Sequence, residues 1–138
     1  ALRFYVSIFP QSKVEGVLHY GEEDGDKPGL VKHAQFTLQN YVMMAMDSSL
    51  EHGFSFNDAI SMVVECNDQA EIDRYWDRLT AHGGKEVACG WLKDKYGVSW
   101  QIIPMDIWKL MTDPEKGQRA MNAMLKMKKL IIADLENA

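Results

Sequence analysis

The sequence predicts an α+β chain made of two similar halves, and three observations carry that expectation. Residues 88–104 (ACGWLKDKYGVSWQIIP) read as strand, tight turn, strand: Trp91 and Leu92 are strand formers, residues 93–97 form a charged turn closed by glycine, and the apolar run from Val98 stops at Pro104. Residues 69–82 set Ile72, Tyr75, Trp76 and Leu79 at the i, i+3, i+4, i+7 spacing of an amphipathic helix. A faint repeat links the halves: Arg3, Phe4, Tyr5 and Ile8 recur in kind at Arg74, Tyr75, Trp76 and Leu79, 71 residues on.

The remaining elements follow in order. Residues 1–9 (ALRFYVSIF) carry Leu2, Tyr5 and Phe9 at helical spacing without an N-cap, as though the helix were already under way, and the symmetry of the halves places a further strand ahead of Ala1. Residues 14–20 alternate as a strand, Val14, Leu18 and Tyr20 against Glu15, Val17 and His19. Residues 21–29 (GEEDGDKPG) are an acidic loop lacking the DxDxDG spacing of a calcium site. Residues 31–38 are a half-buried strand with Val31, Ala34, Phe36 and Leu38 set apart from His33, Gln35 and Thr37. A turn at Gln39 and Asn40 leads to a partner strand over residues 41–47. There the methionines make the period ambiguous: if Val42, Met44 and Met46 face the helix, Met43, Ala45 and Asp47 fall on the other side with His33, Gln35 and Thr37.

Residues 48–58 read as a linker with aromatic anchors, and residues 60–66 as a strand with Ser61, Val63 and Glu65 on one face. Asn67 or Asp68 caps the amphipathic helix, and Gly83 and Gly84 end it. Beyond Pro104 come a short helix over residues 105–111, a stop-and-restart at Thr112, Asp113 and Pro114, and a final helix from Glu115 to about Glu136.

Composition narrows the function classes. In 138 residues, 46% hydrophobic and 25% charged, a single globular core is affordable, and 15 basic against 20 acidic residues leave net charge −5 without a basic run. A nucleic-acid surface is not expected. No segment has the length of a membrane span, and two isolated cysteines, Cys66 and Cys89, suit a reducing compartment, so the expected location is cytoplasmic. His19, His33, His52 and His82 belong to no zinc motif, and a serine-hydrolase elbow, a phosphate loop and a glycine-rich dinucleotide turn are all missing. Gln101 in an apolar strand and the indole of Trp91 predict that one face of the 88–104 hairpin lines a cavity with a few polar groups.

ALRFYVSIFP at residues 1–10, the ISMVVEC strand with the DRYWDRL helix, and above all CGWLKDKYGVSWQIIP resemble the PhnB-like branch of the glyoxalase/bleomycin-resistance, or vicinal oxygen chelate, superfamily. The resemblance implies two βαβββ modules curled into a cup, often completed as a homodimer: residues 1–50 as the first module with its first strand missing, 59–104 as the second, and 105–138 as a helical extension. In metal-using members four side chains in the cup hold a divalent ion. The second module's positions look like Ser61 and Gln101, where a His and a Glu would be typical, and the first module's last-strand position falls near Ala45. Two neutral oxygen donors make a tight metal site improbable, so no metal and no cofactor are expected beyond a weakly held divalent ion. The branch also carries the label 3-demethylubiquinone 3-methyltransferase, which conflicts with the missing cofactor turn.

Three readings remain open. The first is a metal-free small-molecule binder whose cup is lined by His33, Gln35, Asp47, Ser61, Glu65, Trp91 and Gln101. The second is an enzyme with Glu65 or His33 as general base. The third is an interaction module whose C-terminal helix mediates dimerisation.

Overall fold

A computed structural model describes all residues 1–138. The chain divides into two compact units, Ala1–Phe54 and Ser55–Ala138.

In the first unit, helix α1 (Leu2–Ile8) precedes strands β1 (Lys13–His19), β2 (Val31–Leu38) and β3 (Tyr41–Ala45), an antiparallel sheet in the order β1-β2-β3. Alternation along β2 sends Ala34, Phe36 and Leu38 inward, where they are buried beneath Tyr5, Ile8 and Phe9, and leaves His33, Gln35 and Thr37 on the open face. Two expected phases are corrected. In β1 the pairing slips between Val14 and Gly16, so Val14 and Val17 share the helix side opposite Phe36 and Ala34, and Leu18 faces outward opposite His33. The extra residue of a bulge reverses the alternation that the sequence implies. In β3, Met43 pairs with Phe36 and Ala45 with the fully buried Ala34, so these two face the helix. Val42 and Met44 oppose Thr37 and Gln35 on the open face and are 60% and 65% exposed. Directly opposed residues share a face, and the register set by the Gln39 turn outweighs the ambiguous run of methionines.

The linker also differs from expectation. Phe54 and Phe56 are 79% and 65% exposed, so they anchor nothing in a core, and the Phe54 ring meets the His52 ring, centroids 5.0 Å apart.

The second unit is a complete βαβββ arrangement: β4 (Met62–Cys66), α2 (Gln69–Thr80), β5 (Lys85–Glu86), β6 (Trp91–Lys93) and β7 (Ser99–Pro104), with sheet order β4-β7-β6-β5 and β4 parallel to β7. Asp68 caps α2 by accepting the Glu71 N–H at 2.8 Å, while the Glu71 carboxylate accepts the Asn67 N–H at 2.9 Å. All four residues of the predicted stripe are buried, facing Leu92, Trp100 and Ile102 of the sheet. Each such side chain contributes about 1.5–3 kcal/mol on burial. α2 is therefore held mainly by this contact.

The single long C-terminal helix is the largest correction. Three short helices stand after Pro104: α3 (Ile107–Met111), α4 (Gly117–Met124) and α5 (Ile132–Glu136). Between α4 and α5 the Met127 and Lys128 carbonyls accept the Cys89 and Gly90 N–H groups at 2.8 and 2.7 Å. Leu130 is driven to full burial, and the Gln69 amide bonds both the Leu130 carbonyl and the Ile132 N–H. These tertiary bonds replace the intrahelical ones that helix propensity alone would favour. No helix is long and apolar enough to cross a membrane.

Candidate functional site on the open face of the second sheet

The face of the second sheet turned away from α2 is fixed by register. Leu92 and Trp100 oppose each other toward the helix, so their neighbours Trp91, Lys93, Ser99 and Gln101 stand on the other side. β4 adds Val63 beside Gln101 and Glu65 beside Ile103. In the middle of this surface the Gln101 amide Nε2 donates to Ser61 Oγ at 2.8 Å. Trp91 sits directly across from Gln101, half-buried, and no protein acceptor meets its indole N–H. Glu65 is exposed and its carboxylate has no partner.

One end of the face holds a built cluster. The Ser99 hydroxyl, 1% exposed, donates to Asp58 Oδ1 at 2.6 Å, and Lys93 Nζ meets the same oxygen at 3.0 Å. The Ser99 hydrogen bond first, and the Lys93 ammonium second, hold the Asp58 carboxyl below the usual carboxylate range. The turn beneath is organised by Asp94, which is 3% exposed. Its Oδ2 accepts the Trp100 indole N–H at 2.9 Å, and its Oδ1 accepts the Tyr96 and Val98 N–H groups at 2.8 and 3.1 Å.

Ser61, Glu65, Trp91 and Gln101 are thus brought to one face of the second unit. His33 and Gln35 lie on the open face of the first unit's sheet, His33 exposed and Gln35 half-buried. Asp47 does not join them. It lies past the end of β3, where its Oδ2 accepts the Val31 N–H at 2.9 Å and its own N–H bonds the Val31 carbonyl at 2.8 Å. Ala45, the expected first-half counterpart of Gln101, turns toward the helix, and Met44 takes the outward position. Lys93 and Ser99 went unread in the sequence although each is two residues from a predicted member, the spacing that returns a strand to the same face. Asp58 had no signal, being an exposed loop residue more than thirty positions from its partners.

The cysteines take no part in this site. Burial pushes the Cys66 thiol up to about 12, and Cys89 is held in a left-handed turn at φ 57. A groove of about 320 Å³ between α3 and α5, floored by Ile107, Leu110, Ile132 and Leu135, contains none of the predicted site residues.

The family model described as 3-demethylubiquinone-9 3-methyltransferase matches residues 1–103. The chain belongs to that family. A solved PhnB protein from Bacillus cereus, 37% identical, aligns over 74% of this chain and 87% of its own, with TM-score 0.69. Protein PA1353 from Pseudomonas aeruginosa, 20% identical over 67% of this chain and 78% of its own, shares the fold at TM-score 0.54. No curated protein matches. The α+β expectation holds, and the architecture is of the PhnB, glyoxalase-like type.

The family name raises the question of a methyl-donor cofactor, and the fold family that of a metal. The second sheet has one parallel pair, and β4 runs into α2 through Asn67 and Asp68 with no glycine-rich turn, so the usual cradle for a dinucleotide-like cofactor has no counterpart there. Ser61 and Gln101 are neutral and bonded to each other, and no three His, Cys, Asp or Glu side chains converge. This donor set does not fit a transition metal, which calls for imidazole, thiolate or carboxylate ligands.

Proposed function

We propose that this member of the 3-demethylubiquinone-9 3-methyltransferase family binds a planar small molecule, without a metal ion, on the open face of the second sheet. The observation that carries the reading is the Gln101–Ser61 hydrogen bond standing beside Trp91. In that pairing Gln101 uses one amide hydrogen and keeps its carbonyl and second hydrogen for a ligand, and the Ser61 hydroxyl keeps its own hydrogen. Trp91 supplies apolar stacking area and an unclaimed indole N–H. A few fixed polar groups beside an aromatic surface are the makings of a small-molecule site.

The test is a thermal-shift screen of quinones, naphthols, phosphonates and related planar compounds, because a ligand selective for the native state raises Tm. A hit is expected to lose its shift in both Trp91→Ala and Gln101→Leu. Protein purified without chelator should carry less than stoichiometric divalent metal. Near-stoichiometric metal that Gln101→Ala removes would overturn the metal-free reading, and silence across the panel would overturn the binding reading.

A further inference from the structure

We propose that the open face of the second sheet is polarised along β7 and selects a planar ligand with an anionic group at one end and a hydrogen-bond donor at the other. This rests on the binding reading above and names the ligand class for the same face. Strand alternation puts Lys93 on the Trp91 side, opposite Ser99, just as Trp91 stands opposite Gln101. The buried Ser99 hydroxyl holds Asp58 Oδ1 at 2.6 Å, and that oxygen holds Lys93 Nζ at 3.0 Å, so the ammonium is positioned through a hydroxyl almost wholly removed from solvent. Asp58 takes one of the three ammonium donors, and two are left for a ligand. At the opposite end Glu65 stands beside Ile103, exposed and without a partner. An ammonium only donates and a carboxylate only accepts, so the two ends ask for opposite chemistry.

The spacing sets the ligand's size. Ser99 and Ile103 are roughly 13 Å apart along an extended strand, at about 3.3 Å per residue. Lys93 Nζ is held at Asp58 beside Ser99, so the span from it to Glu65 has room for a two-ring planar body above Trp91 and Gln101. The whole chain, at net charge −5, disfavours anions at long range. A preference for an anionic ligand would therefore have to be made locally, by Lys93.

The experiment measures binding of 6-hydroxy-2-naphthoate, 6-hydroxy-2-naphthamide and 2-naphthoate by calorimetry. The hydroxy acid is expected to bind about tenfold more tightly than the amide, the scale of one charge-assisted hydrogen bond. Lys93→Met should erase that difference, Lys93→Arg should keep it, and Glu65→Met should erase the advantage of the hydroxy acid over 2-naphthoate. Equal binding of acid and amide to the wild type would overturn the polarised face and leave aromatic binding standing. Lys93→Met weakening both alike would assign Lys93 to holding the sheet and overturn it too. Failure of all three probes to bind would sink this inference together with the reading it rests on.

Discussion

Replacing Asp94 by alanine should unlatch the hairpin that presents Trp91 and Gln101. The carboxylate is 3% exposed and receives three N–H donors, from the Trp100 indole and the Tyr96 and Val98 backbone. Hydrogen bonds to a charged acceptor contribute about 1.5–3 kcal/mol each, and a buried donor left unmet costs about 1–3 kcal/mol. The turn amides can regain water once the side chain is gone, whereas the Trp100 indole, 3% exposed, cannot. The expected net loss is about 3 kcal/mol, which at roughly 3–5 °C per kcal/mol for a chain of this size lowers Tm by about 10 °C. Urea denaturation of wild type, Asp94→Ala, Trp100→Phe and the double variant closes a cycle. Because Trp100→Phe removes the stranded donor, the two substitutions should be less than additive by about 1–2 kcal/mol. A loss under about 0.5 kcal/mol for Asp94→Ala, or strict additivity, would refute the argument.

Two further outcomes follow from the same structure. Gly90 has φ +81, and a Cβ there would meet the Ile102 carbonyl at 2.9 Å and Leu130 Cδ1 at 3.1 Å, whereas Gly97 has φ +86 in open space. Gly97→Ala should cost only the left-handed backbone penalty, about 1–2 kcal/mol, and Gly90→Ala at least about 2 kcal/mol more in urea denaturation, since backbone must move to admit the methyl group; equal losses would contradict the packing described. The Asp73 carboxyl is held below the usual range by Lys129 at 2.8 Å and then by Gln69, and Asp113 is held there by the Lys116 and Glu115 N–H groups. Below about pH 4 the unfolded state binds more protons than the folded one, so stability present above that range is lost as pH falls through it. Asp73→Asn should flatten the acid limb of a Tm-against-pH curve, and an unchanged limb would count against the pair.

Much of the fold was readable because its signals are local. The α2 stripe, its cap at one of the two positions open in the sequence, Asn67 or Asp68, and the 88–104 hairpin each depend on side chains within a few residues, and the structure places the stripe and hairpin as read and the cap at Asp68. The C-terminal helix failed for the opposite reason. Residues 115–136 have acceptable helical propensity throughout, and what interrupts them is Gln69, Cys89 and Gly90, distant in sequence and bonded to their backbone. The methionine-rich β3 failed more narrowly, because apolar residues at every position carry no period of two to read.

The same division runs through the site. Residue chemistry alone marked Trp91 and Gln101 as unusual on an apolar strand, and the resemblance to the glyoxalase/bleomycin-resistance superfamily implied neutral oxygen donors where ion ligands would be typical. That Gln101 meets Ser61, that Asp58 and Ser99 position Lys93, and that Asp47 is spent on the Val31 backbone all depend on residues sixteen to forty-one positions apart. Alternation and capping are short-range and written in neighbouring letters. Register and side-chain meeting are settled by the lowest free energy of the whole folded unit, which no single stretch of the chain contains.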